Sequence, residues 1–135
     1  MRLAAEVLMR HLPANEIVSA LKRGSAVEQF LGGGVSNGQR TIRWIEIRPQ
    51  NETFEVWQFE SADLGDIDSS DFYDWGGEED EVLVSTTRTA DEALQFAETY
   101  LNARTGAWTN PGVSQDDYRD YVKSQRSPDW TPALP

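Results

Sequence analysis

Hydrophobic positions along the chain change period several times, and each change marks an element. Leu3, Val7, Leu8 and Leu12 share one helical face, with Ala4 beside them, which predicts a short helix over residues 3–12 ended by Pro13. Ile17, Ala20 and Leu21 repeat the pattern over 16–23. Asn15 stands where a cap would, Lys22 and Arg23 fill the last turn, and Gly24 follows. Ser25 then opens a third, brief apolar stretch with Val27, Phe30 and Leu31, read as one more helical turn. Gly32–Gly34 and Gly38 make a loose connector. The run lacks the Gly-Lys-Ser/Thr end of a phosphate-binding loop and precedes a strand, so it is read as a linker.

Beyond the glycines the pattern turns β-like. Residues 41–48 (TIRWIEIR) and 53–60 (TFEVWQFE) are rich in β-branched and aromatic side chains, with a turn from Pro49 to Glu52, and they predict an antiparallel hairpin. Ile45 and Ile47 point to one face and Ile42 and Trp44 to the other. Phe54 and Val56 similarly oppose Trp57 and Phe59. Such a sheet is covered on both sides or uses one face for contact. Residues 82–87 (VLVSTT) predict a third strand. Thr89 with Glu92 forms a capping-box pattern before a helix over 90–104, whose Ala90, Ala93 and Ala97 suit close packing on a sheet. Asn110-Pro111-Gly112 marks a turn. Ser114, with Asp117 in the box position, predicts a last helix over 115–124 carrying Tyr118, Tyr121 and Val122 on one side. The proline-containing tail from about residue 127 is expected to be extended and mobile. The sum is an α+β fold: a small, mainly antiparallel sheet of about three strands (41–48, 53–60, 82–87), packed by N-terminal helices and two C-terminal helices. The 135 residues form one domain, with no repeat.

Charge changes this picture at one place. Residues 61–98 hold 12 acidic side chains and one base, Arg88, and this stretch accounts for the whole net charge of −11, since acids and bases balance elsewhere. Nine of the acids lie between Asp63 and Glu81, in a connection of about twenty residues without regular periodicity. Two expectations follow. In one, the segment is a solvated, mobile loop that confers solubility. In the other it is a docking surface for a basic protein: Asp66, Asp68, Asp71, Asp74 and Glu78 supply the field and Phe72, Tyr73 and Trp75 the apolar anchors. The same three rings could instead pin the segment onto the sheet.

Composition excludes several chemistries. The chain has no cysteine, so disulfides, thiolate metal sites and cysteine nucleophiles are absent. Its one histidine, His11, has no sequence neighbour that suggests a catalytic arrangement, and it is read as a helix-surface or partly packed residue. Asp66-x-Asp68 begins like a calcium loop. The pattern fails at Asp71, where glycine is needed, and at Gly77, where glutamate is needed, so no metal or cofactor is expected. The acidic balance disfavours nucleic acid and anionic membranes. No apolar run approaches a membrane span, and the N-terminal stretch lacks the uninterrupted apolar core of a signal peptide, so a cytoplasmic protein is expected.

The functional expectation is therefore a non-enzymatic module that docks a basic protein through residues 63–81. Size and charge place it, by class analogy alone, beside immunity proteins and nucleic-acid mimics. A second reading is a structural or adaptor protein that forms a homodimer through its N-terminal helices. A third, weaker one places a small-ligand or enzyme pocket around Trp108, Tyr118 and Tyr121.

Overall fold

The computed structural model describes residues 10–75 and 80–132. Among these, the elements run α1 (Ala14–Lys22), β1 (Val27–Ser36), β2 (Gln39–Gln50), β3 (Thr53–Ala62), β4 (Glu81–Thr87), α2 (Ala90–Tyr100) and α3 (Ser114–Lys123), with one 3-10 turn at Phe72–Asp74. The four strands form a single antiparallel meander in the order β1-β2-β3-β4. The α+β class is as expected, with one strand more than the sequence pattern predicted. The helix expected over 3–12 lies outside the described residues except at 10–12, which are not helical.

The extra strand corrects two expectations at once. Residues 27–36 are neither a helical turn followed by a linker nor free of the sheet. They are β1, paired with β2 from Val27↔Ile47 to Ser36↔Gln39. The turn between them is the two-residue Asn37-Gly38, both at positive φ (53° and 78°), which matches the right-handed twist of a tight hairpin. A bulge between Phe30 and Gly32 adds one residue to β1, and Gly32 takes a φ of +117° there. A second two-residue turn, Asn51-Glu52, joins β2 to β3, so Pro49 belongs to the strand rather than to the turn.

Both faces of the sheet are covered over its inner part, while Val82 and Leu83 on β4 stand exposed. Val27, Ile45, Ile47 and Val56 meet α1 (Ile17, Ala20, Leu21) and the alanine face of α2 (Ala90, Ala93, Ala97), with Trp108 closing this first cluster. α1 starts after Pro13 rather than under an Asn15 cap, and its apolar face is consumed by the sheet. Thr89 caps α2 as the sequence indicates: its Oγ1 accepts the Glu92 amide at 3.1 Å and donates to the Glu92 carboxylate. α2 ends at Tyr100, four residues early. Asn102 adopts φ +63° and the Ala103 amide bonds back to the Ala97 carbonyl, which is how left-handed residues close helix ends.

The opposite face carries an aromatic cluster. Phe30, Ile42 and Trp44 meet Phe72, Tyr118 and Tyr121, with Phe59, Tyr73, Trp75, Val122 and Trp130 around them. α3 begins at Ser114 itself. Its hydroxyl pairs with Thr109 Oγ1 at 2.9 Å instead of capping, and Asp117 turns inward. After α3, Gln125 and Arg126 both take positive φ and reverse the chain. As far as Pro132 the tail is packed rather than extended away: Trp130 lies edge-on to Phe30 (5.3 Å between centroids) and to Tyr121 (6.0 Å).

Candidate functional site

The acidic segment leaves β3 through a buried carboxylate. Asp63 is 5 % exposed. It accepts the Tyr118 hydroxyl at 2.6 Å and the Arg126 Nε–H at 2.7 Å, and Arg40 stands at 3.9 Å. Arg126 also donates to the Gly65 carbonyl at 2.6 Å, so one guanidinium ties the tail to two points of the segment. The bond to Asp63 raises the Arg126 pKa, and burial with the same carboxylate as neighbour raises that of the Tyr118 hydroxyl. Of the nine acids, Asp63 is thus an internal anchor matched with the chain's own arginine.

The next residues form a tight turn. Asp66 Oδ1 accepts the backbone amides of Asp68 and Ser69, both at 2.9 Å, and the main chains of Asp66 and Ser69 pair with each other. Ile67 and Asp68 stand exposed at its tip. Gly65 lies under this turn. A Cβ there would meet the Ser69 carbonyl oxygen and the Trp75 ring at 2.1 Å, so close approach demands glycine.

The three rings of the segment face the sheet. Phe72 is fully buried, 4.6 Å from Trp44 between centroids. Trp75 meets Tyr118 edge-on at 5.3 Å, and the Tyr73 hydroxyl donates to the Glu28 carboxylate. Tyr73 and Trp75 are half-buried. Of the two expectations for these rings, the geometry is that of pins. Asp66, Asp68, Asp71 and Asp74 point outward, and among the described residues no cation stands within ion-pair distance of any of them. Glu78 lies outside the described residues. Sequence reasoning passed over Leu64 and Ile67, which are 62 % and 46 % exposed beside these acids. Apolar residues inside an acidic loop, out of phase with the rings, are the signal that points to them.

Beneath the segment Glu28 is almost wholly buried. It accepts the Tyr73 hydroxyl and the Gly112 amide (2.8 Å), and desolvation raises its pKa above the ordinary carboxylate value near 4.5. Its folded form therefore holds a proton more tightly than the unfolded chain does. Stability should fall as pH rises from about 4.5 through the folded pKa, because the unfolded state ionises first. In urea melts between pH 4 and 8, Glu28→Gln should lack this component of the fall. A wild-type-minus-variant difference that is flat, or rises with pH, contradicts the assignment.

His11 also departs from expectation. It is 4 % exposed, and its Nε2 faces both oxygens of Asp117 at 2.9 and 3.1 Å, while Arg10 bonds to Asp117 and Asp120. This clamp joins residues more than a hundred positions apart. Among the described residues no hydroxyl bonds to the imidazole. Trp108 is buried in the first cluster, and Tyr118 and Tyr121 are buried in the second. Among the described residues no group of three His, Asp or Glu side chains is arranged to hold a metal ion, and no helix is long and apolar enough to cross a membrane. No family model, curated protein or solved structure matches the chain.

Proposed function

We propose that this protein is a non-enzymatic binding module whose outward acidic face, centred on Asp66, Asp68, Asp71 and Asp74, docks a basic protein partner. The observation that carries the reading is that the acids are held in place. A segment that only confers solubility gains nothing from being fixed. This one is fastened by Asp63 to Arg126, by Phe72 to Trp44 and by Tyr73 to Glu28. Fixed like charges with no counter-ion among the described residues raise the local potential and favour an arriving cation, and the ordering entropy is already met before the partner arrives. Leu64 and Ile67 supply the apolar contact that charge alone does not give, in place of the rings now turned inward.

The test is capture of partners at low salt by the wild type and by the triple variant Asp68→Lys, Asp71→Lys, Asp74→Lys, followed by titration of the retained protein. The wild type should bind a basic protein whose affinity falls about tenfold or more between low and physiological ionic strength. The triple variant should fold normally and lose that binding. A variant that still binds the same partner with wild-type affinity removes the proposal.

A further inference from the structure

A second surface has the opposite character. Along the outer edge of β1, around its bulge, lies a cavity of about 540 Å³ bordered by Gln29, Arg43, Glu98, Asn102, Arg104 and Trp130. Its volume falls within the range of roughly 300–1,000 Å³ typical of small-molecule sites. Arg43 and Arg104 are both exposed, and among the described residues neither has a carboxylate within ion-pair distance. Two unmatched guanidinium groups at one cleft stand out in a chain with 23 acids and 12 bases.

The cleft is built rather than incidental. Gln29 is 1 % exposed and uses both ends of its amide on the main chain of Arg104: Nε2 donates to the Arg104 carbonyl at 3.1 Å, and Oε1 accepts the Arg104 amide at 2.7 Å. The left-handed turn at Asn102 delivers Arg104 to this point. Arg43 comes from the neighbouring strand, paired with Gly32 at the bulge. Trp130 closes the third side. Both of its ring contacts are edge-on, at 69° to Phe30 and 82° to Tyr121, and no ring of the described residues stacks parallel to it. The indole is thus held against Phe30 and Tyr121 while it borders the cavity.

We propose that this cleft binds a small anion carrying a flat ring, with the anionic group on Arg43 and Arg104 and the ring against Trp130. Guanidinium groups pair with phosphate and carboxylate alike through charge-assisted bonds, and an aromatic ring stacks on indole with little loss of freedom. Glu98, whose carboxylate accepts the Thr105 hydroxyl, and Asn102 border the same cavity and suit donor groups on the ligand.

The experiment is a titration of the 15N-labelled full chain followed by amide and indole shifts, with four probes: adenosine 5′-monophosphate, benzoate, inorganic phosphate and adenosine. At least one ring-bearing anion should shift Gln29, Gly33, Asn102, Arg104 and the Trp130 indole. Whether the nucleotide or benzoate does so decides between phosphate and carboxylate. Inorganic phosphate and adenosine, each lacking half of the ligand, should bind about tenfold more weakly or worse. Arg43→Gln and Arg104→Gln should each weaken the best probe about tenfold, because the Gln29 contacts are to the main chain and survive both changes. Lys123→Gln, which removes a surface charge elsewhere, should leave it unchanged. Absence of shifts at millimolar probe, shifts confined to other residues, or full affinity in both arginine variants overturns the proposal. None of these outcomes touches the acidic face, so the two binding surfaces stand or fall separately.

Discussion

Asp63→Ala should lower the free energy of unfolding by about 3 kcal/mol. The carboxylate is withdrawn from water and holds a tyrosine hydroxyl and an arginine Nε at 2.6 and 2.7 Å. Removing it leaves the Tyr118 hydroxyl buried among rings with no acceptor, and leaves a largely buried guanidinium bonded only to the Gly65 carbonyl. An orphaned buried donor costs about 1–3 kcal/mol, and more when it is charged. Arg126→Ala should be comparably damaging for the reciprocal reason, since the anion would then have Tyr118 and only a distant, exposed Arg40. The double variant should lose less than the sum of the two by about 1 kcal/mol or more, because the second change removes a group already stranded by the first. Urea denaturation of the four proteins closes the cycle. A loss below about 1 kcal/mol for Asp63→Ala, or additive losses, would show that the pair is not the fastening described. Amide exchange across residues 64–75 supplies a local readout: protection there should fall more in Asp63→Ala than protection in β2 and β3.

The same residue shows where sequence reading stops. Nine acids in nineteen positions look alike along the chain, yet one is a core anchor and four are surface charges. What separates them is Arg126, sixty-three residues away, and the left-handed pair Gln125 and Arg126 that swings it into place. His11 and Asp117 were unreadable for the same reason, because no local pattern encodes a contact across so many residues. The elements whose signals are local came through. The β2–β3 hairpin, the Thr89 cap, the alanine face of α2 and the opposed faces of Ile45/Ile47 and Ile42/Trp44 all rest on neighbours within a few positions. Helix ends were less legible: α2 stops at Tyr100 because Asn102 reverses the backbone, and nothing in the helical spacing announces that.

This division bears on the acidic face. Composition located it, but only packing decides which of its side chains a partner could reach. The aromatic residues that looked like anchors serve the second core cluster, where Phe72 contacts Phe30, Trp44 and Tyr118. Their burial fastens the segment that carries the outward carboxylates, so in the docking surface proposed above the rings would act by holding its geometry rather than by contact.

Gly33→Ala is the second large effect expected, and it tests the strand that the glycine run concealed. A Cβ at this position would lie 1.8 Å from the Tyr121 Oη and 2.5 Å from its Cζ. Tyr121 is 5 % exposed and boxed between Phe30, Trp130 and Tyr118, with centroids 5.7, 6.0 and 6.4 Å away, so the ring has little room to yield. It is also a contact through which α3 packs on β1, and any adjustment must propagate into the helix. Overpacking of a closed aromatic cluster costs about 1–3 kcal/mol, and the depth of this overlap places Gly33→Ala at the upper end. A flexible linker would tolerate the methyl group, or gain slightly from a stiffer unfolded chain. The sign of the change therefore distinguishes a strand packed against a ring from a free connector. Tyr121→Phe removes the atom in deepest conflict. In that background Gly33→Ala should cost less by about 1 kcal/mol, the coupling expected of residues in direct contact. Thermal or urea unfolding of the two single variants and the double measures both quantities. A Gly33→Ala protein within about 0.5 kcal/mol of wild type would mean that Tyr121 does not rest on β1.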